Sequence, residues 1–258
     1  MKGFCKILCV GIITTMSVSA YAGTYNKEVK FGHTDVWNSD TVGISGTYYF
    51  GEVDDSLGPL AEAAFLSPQS SIGVWTSRRK TEQQTNQTSN NVREGQGVFG
   101  TWHSGSGFYL GGGSNKQNTN RYPTTNNPTP SERDHEWTTG LAGYYLNDAT
   151  DVWLGYREWK NTSTGSDYKS IRQSVGIKHL MALDDSHLAL RAEWLDDVDN
   201  GTEDYTSLDT SATYYPAKDI GFKVGVINHH YKDDVARPGW DNTDLVKLFS
   251  TTQLRGFL

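Results

Sequence analysis

Residues 41–50, TVGISGTYYF, alternate strictly. Val42, Ile44, Gly46, Tyr48 and Phe50 fall on one side, and Gly43, Ser45, Thr47 and Tyr49 on the other. Successive side chains of a strand point to opposite faces, so one face is apolar and ends in aromatics while the other is small and polar. One such strand would suit a soluble sheet equally well, but the pattern repeats. An alternating run that closes on aromatic or apolar residues and then meets a tight polar turn recurs at 144–148 and 214–218, and more weakly at 180–185 and 248–252. Long connections rich in Gly, Asn, Asp and Thr separate these turns. Short turns at one end, long polar loops at the other and an aromatic band beside the turns describe an all-β, antiparallel transmembrane barrel.

The first residues add a compartment. Lys2 and Lys6 precede and flank the start of an apolar run over 7–13, and Ser19-Ala20-Tyr21-Ala22 follows. A basic start, a short apolar core and an Ala-x-Ala end predict a secretory signal peptide over 1–22, cleaved after Ala22, with the barrel occupying 23–258. The run is too short to span a bilayer. Residues 6–8 lack the small side chains that precede a lipidated cysteine, so simple cleavage is expected. Cys5 and Cys9 leave with the peptide, and the exported chain then has no thiol for a disulfide, a nucleophile or a metal. Loss of Lys2 and Lys6 leaves 21 basic against 30 acidic residues, a net charge of −9 that argues against nucleic acid as a partner. A mean hydropathy of −0.59 excludes helical spans only, because barrel strands need an apolar residue at every second position.

Twelve strands are expected, beginning over 24–33 and ending over 243–249, with glycines inside the runs and prolines outside them. Long loops are expected at 33–40, 84–91, 116–135, 160–167, 196–204 and 232–242. One connection breaks the rule: 51–70 falls on the short-turn side yet is long. Within it, 58–66 reads as one or two helical turns with Pro59 at the first position. Two readings of that segment stand open: a plug in the periplasmic mouth, or an apolar loop packed under the barrel rim.

The same connection carries a family resemblance. Tyr48-Tyr49-Phe50, Val53-Asp54 and then Gly58-Pro59-Leu60-Ala61-Glu62-Ala63-Ala64-Phe65-Leu66 closely resemble the general porin family of Gram-negative outer membranes. The nine-residue block is specific, and the likeness extends loosely from about Tyr25 onward. It implies an outer-membrane channel for small hydrophilic solutes and brings no catalytic residues. It also implies a last strand ending in an aromatic residue, read by the barrel-assembly machinery, whereas this sequence ends Gly256-Phe257-Leu258. Residues 249–254 read as one more turn and the start of a thirteenth strand. Two expectations follow: twelve strands that close, or a shortened fourteen-stranded barrel.

Alternation also sorts the faces. Val152, Leu154 and Tyr156, then Ile171, Val175 and Ile177, then Leu188, Leu190 and Trp194, then Phe222, Val224 and Val226, are expected against lipid. Arg157, Arg172, Lys178, Arg191, Glu193, Asp209, Lys223 and His229 are expected inside, as wall-bracing ion pairs or as solute contacts. A lipid-facing Arg or Lys at the midplane costs about 2–4 kcal/mol, so this sorting is informative. Arg121, Glu132, Arg133 and Asp134, in the longest loop, are candidates for a constriction. The lumen is mixed in sign.

No metal or other cofactor is expected. His229 and His230 are adjacent and point to opposite faces, and Val198 interrupts the calcium-loop-like run 196–201. His33, Asp35, His135 and His230 fall near the outer rim, but no nucleophile motif accompanies them, so the chain is read as not an enzyme. A barrel hydrolase and a secreted glycan-binding sandwich are the alternatives, the latter because of eight tryptophans, of which Trp75, Trp153 and Trp194 would also suit interfacial girdles. The partners expected are outer-membrane lipid and lipopolysaccharide, the barrel-assembly machinery and small hydrophilic solutes, with homo-oligomerisation left open.

Overall fold

A computed structural model describes residues 12–18, 24–36, 39–81, 91–121, 131–163, 166–199, 205–218, 220–231 and 245–254. Thirteen described strands follow one another as an antiparallel meander. They are β1 (Ile12–Val18), β2 (Thr24–Val36), β3 (Ser39–Asp54), β4 (Ser71–Thr81), β5 (Asn91–His103), β6 (Phe108–Arg121) and β7 (Ser131–Asn147), then β8 (Thr150–Ser163), β9 (Ser166–Leu183), β10 (Ser186–Asp199), β11 (Tyr205–Ala217), β12 (Ile220–Tyr231) and β13 (Leu245–Leu254). A single helical turn, α1 (Ala63–Leu66), lies between β3 and β4.

Each of β2–β13 answers to one of the twelve expected strands, and the described outer face of β2–β12 is apolar. Phe50 is 68% exposed, Leu154 64%, Val224 58% and Val74 57%. Soluble proteins rarely leave so continuous an apolar surface uncovered, and lipid accounts for it. Among the described residues no helix is long and apolar enough to cross a membrane.

Strands are longer, and loops shorter, than the sequence pattern suggests. β7 has 17 residues and β9 has 18, against the roughly 9–11 that a bilayer requires. β2 and β3 are separated only by 37–38, β8 and β9 only by 164–165, and the expected loop over 116–135 contracts to 122–130. The ladders run on above the membrane, where both faces meet water and the apolar signal of alternation is lost. At the opposite end the connections are tight. Gly105 and Gly107 take φ of +73° and +90° in the β5–β6 turn, a region an L side chain rarely enters.

One further expectation changes. β13 runs through 250–252, where a turn was expected. β1 lies within the expected signal peptide yet pairs with β2 and lies beside β13. No ladder joins β1 to β13 among the described residues, so hydrogen bonds do not close the sheet. In an antiparallel meander β1 and β13 run parallel, whereas β2 and β13 run antiparallel.

Candidate functional site: the lumen and its inner plug

The connection between β3 and β4 crosses the turn end of the barrel. Leu60 N–H donates to Lys218 O at 2.9 Å, just beyond β11. The Tyr215 hydroxyl on β11 donates to Glu62 Oε1 at 2.7 Å, and Lys178 Nζ on β9 pairs with Glu62 Oε2. That ammonium also lies 4.1 Å from the centre of the Phe65 ring, which tilts against Tyr145 of β7 at 5.6 Å. A segment that leaves β3 and touches β7, β9 and β11 spans the opening, so of the two readings the plug is the one observed.

Packing and polarity hold it together. Tyr49, Val53 and Ala63 form one buried cluster, and Leu180, Ala189 and Tyr215 form a second, against which Ala61, Phe65 and Leu66 pack. Pro59 is fully buried. Glu62 is itself buried, which is tolerable because both carboxylate oxygens have donors. The helix is shorter than expected: α1 starts after Glu62, and Pro59 precedes it in a turn.

Phenol–carboxylate pairs line the wall around the plug. Tyr49 Oη donates to Glu28 Oε2 at 3.0 Å, and Tyr109 Oη to Asp151 Oδ2 at 2.7 Å, with His103 stacked on Tyr109 at 5.4 Å. Tyr109 and Trp153 lie flat across Gly143 and Gly176 of the next strands, so closely that a Cβ at either glycine would overlap the ring. These glycines therefore seat inward aromatics.

Nearer the middle, the inward charges pair along the wall. Arg191 Nη2 meets Glu193 Oε2 at 2.7 Å and lies 5.1 Å from the Trp153 ring centre, while Trp153 Nε1 donates to Glu193 Oε1 at 3.4 Å. Arg172 reaches Asp197 Oδ2 through Nη2 at 2.6 Å and Nε at 3.1 Å, and Ser170 Oγ donates to Asp197 Oδ1. Arg157, Asp209 and Lys223 also take inward positions. His229 lies in β12, and its side chain is outside the described residues. The inward acids are confined to part of the wall. Toward the loop end, the described inward positions of β4–β8 include Arg79, Arg93, Arg133 and Arg157 and no carboxylate. Glu193, Asp197 and Asp209 lie on β10 and β11.

The constriction candidates separate. Glu132, Arg133 and Asp134 belong to β7, not to a loop, and alternation turns only Arg133 inward. Glu132 and Asp134 share the outer face with Asn118 and Lys116. Asn118 Nδ2 donates to Glu132 Oε1 at 2.7 Å and to Asp134 Oδ1 at 3.1 Å, and Lys116 pairs with Asp134 at 3.2 Å. On that face neither acid can narrow a pore. Arg121 ends β6, with its side chain outside the described residues. Of the three tryptophans considered for girdles, only Trp194 faces outward, at 43% exposure; Trp153 is buried inside, and Trp75 points inward to Asn115 Oδ1 at 2.8 Å. His33 pairs with Asp40 on the outer face, and His135 faces inward between Trp137 and Trp159, so the rim histidines share no site.

An apolar outer wall around a polar, charged interior defines a β-barrel of the outer membrane. The family described as "Putative general bacterial porin" matches residues 1–126, just under half of the chain, so that stretch is similar to general bacterial porins. Among solved structures, the crystal structure of the Acinetobacter baumannii outer membrane protein Omp33 is similar at 18% identity, covering 81% of this chain and 93% of that one, with a TM-score of 0.37. No curated protein matches.

Proposed function

We propose that the chain is a passive channel for small hydrophilic solutes whose periplasmic mouth is narrowed by the β3–β4 plug. The observation that carries this is the seating of Glu62 between Lys178 and Tyr215, across the barrel from β3. A porin needs a polar interior that solutes enter and leave, and the inward Arg, Asn, Gln and Thr of the loop end provide one. No catalytic activity is assigned. The channel sits in lipid and lipopolysaccharide after insertion by the barrel-assembly machinery.

Export would remove residues 1–22 and β1 with them. This is supported by strand parity: among the described residues the remaining β2–β13 number twelve and place antiparallel partners at the seam, the arrangement single-chain bacterial barrels use. The intact mass of the protein recovered from outer membranes tests the cleavage.

Conductance of the purified mature protein in planar bilayers tests the channel. Discrete openings are expected, and a folded, heat-modifiable protein that never conducts would overturn it. Unchanged mobility in SDS gels with and without heating would favour a water-soluble sandwich.

A further inference from the structure

We propose that the inner wall of β5–β8 near the loop end is a binding subsite for an acidic sugar, a carboxylate-bearing hydroxylated ring. This rests on the channel reading and names a solute class for it.

Strand register builds the subsite from three stacked rows. Arg93, Thr119 and Arg133 are paired across β5, β6 and β7, which places the two guanidinium-bearing residues on either side of one hydroxyl. Two residues closer to the membrane, Gln117, His135 and Asn161 form the next row across β6, β7 and β8. Two further on, Trp137 and Trp159 are paired on β7 and β8. The His135 ring stacks on Trp159 at 5.5 Å and 15°, and lies 6.0 Å from Trp137, so the aromatic row is braced from above. These residues and Asn91 surround a single cleft.

Each row suits a different part of the ligand. Strands two apart are separated by about 9–10 Å, so Arg93 and Arg133 can converge on one carboxylate held between them. The described inward positions on this part of β4–β8 offer no competing acid. The middle row presents amides and an imidazole, and Asn91 and Thr119 beside it add an amide and a hydroxyl. Asn91 Oδ1, Thr119 Oγ1, His135 Nδ1 and Asn161 Oδ1 are buried without a hydrogen-bond partner in the protein. An unpaired buried polar group costs about 1–3 kcal/mol, and four in one cleft are accounted for by a polyhydroxylated solute that engages them. The tryptophans supply an apolar edge for the C–H face of a sugar ring. A plain anion would use only the first row, and a neutral sugar only the other two.

The test titrates D-glucuronate, glucose and acetate against the purified mature protein in detergent, followed by tryptophan fluorescence, and repeats the series as current block in planar bilayers. Saturable binding of glucuronate is expected, with glucose and acetate each at least tenfold weaker. Arg133→Ala should raise the half-saturating glucuronate concentration tenfold or more, and Trp159→Phe should diminish the fluorescence change. Heat-modifiable mobility verifies that each variant is folded, and Arg93→Ala provides a second route to the same loss. Equal binding of acetate would reduce the subsite to a plain anion site and overturn the proposal, as would equal binding of glucose. No glucuronate response from a conducting channel overturns the subsite and leaves the channel standing. Saturable binding without conductance overturns the channel and retains the site.

Discussion

The two ends of the lumen are built from the same strands but to different rules. At the turn end, inward tyrosines meet buried carboxylates, and the plug fills the space between them. At the loop end, inward arginines, amides and tryptophans surround an open cleft, and several polar atoms lack protein partners. Buried ion pairs and packed rings rigidify the first, and polar side chains lining a cleft can meet solute at the second. One end therefore holds the chain together and restricts passage, while the other meets solute.

The contrast breaks most visibly if the plug is removed. Replacing residues 58–66 with a short Gly-Ser linker should raise single-channel conductance several-fold, and by more than deletion of 122–130, because the plug crosses the opening. Conductance histograms of the two deletions decide it; equal or smaller gain from the plug deletion would show that the narrowest point lies elsewhere.

The anchor of the plug comes next in size. Glu62→Ala leaves Lys178 without its carboxylate at a largely buried site, and breaking such a pair costs up to about 3–5 kcal/mol. The temperature at which the folded gel band is lost should drop, and openings should become larger or noisier. Adding Lys178→Met should recover much of the loss, since the lone charge is then gone. Gly176→Val should cost less, about 1–3 kcal/mol, by forcing Trp153 off the β9 backbone. It should lower the same transition temperature without altering the plug's bond to Tyr215.

Much of this contrast was present in the sequence, in a form easily misjudged. Tyr48-Tyr49, Tyr144-Tyr145 and Tyr214-Tyr215 look like pairs of girdle residues. Adjacent strand residues must part, however, and in each pair the first tyrosine faces out and the second faces in. Tyr48 is 41% exposed and Tyr49 6%; Tyr214 is 44% exposed and Tyr215 2%. The outer member meets the membrane interface, and Tyr49 and Tyr215 donate to buried carboxylates. The strands that cross lipid were legible because lipid imposes strict alternation. The upper strand segments were not, because above the membrane no apolar face marks them. Glu62 was legible as part of a distinctive block but not as a ligand of Lys178, since 116 residues separate them and only the curvature of the sheet brings them together.

The smallest expected effect concerns the open part of the lumen. Arg157 is exposed on the inward face of β8, two residues below Trp159 on a wall whose described loop-end positions carry no acid. Arg157→Ala should shift the reversal potential under a KCl gradient toward cation preference. Screening sets how far: the Debye length is about 10 Å at 0.1 M salt and about 3 Å at 1 M, so one wall charge reaches across a narrow lumen only in dilute salt. The shift should be measurable near 0.1 M and vanish near 1 M, with conductance little changed at the higher concentration. A shift that persists unchanged at 1 M would mean that Arg157 acts by contact at a constriction, and the division between a closed turn end and an open loop end would then have to be redrawn.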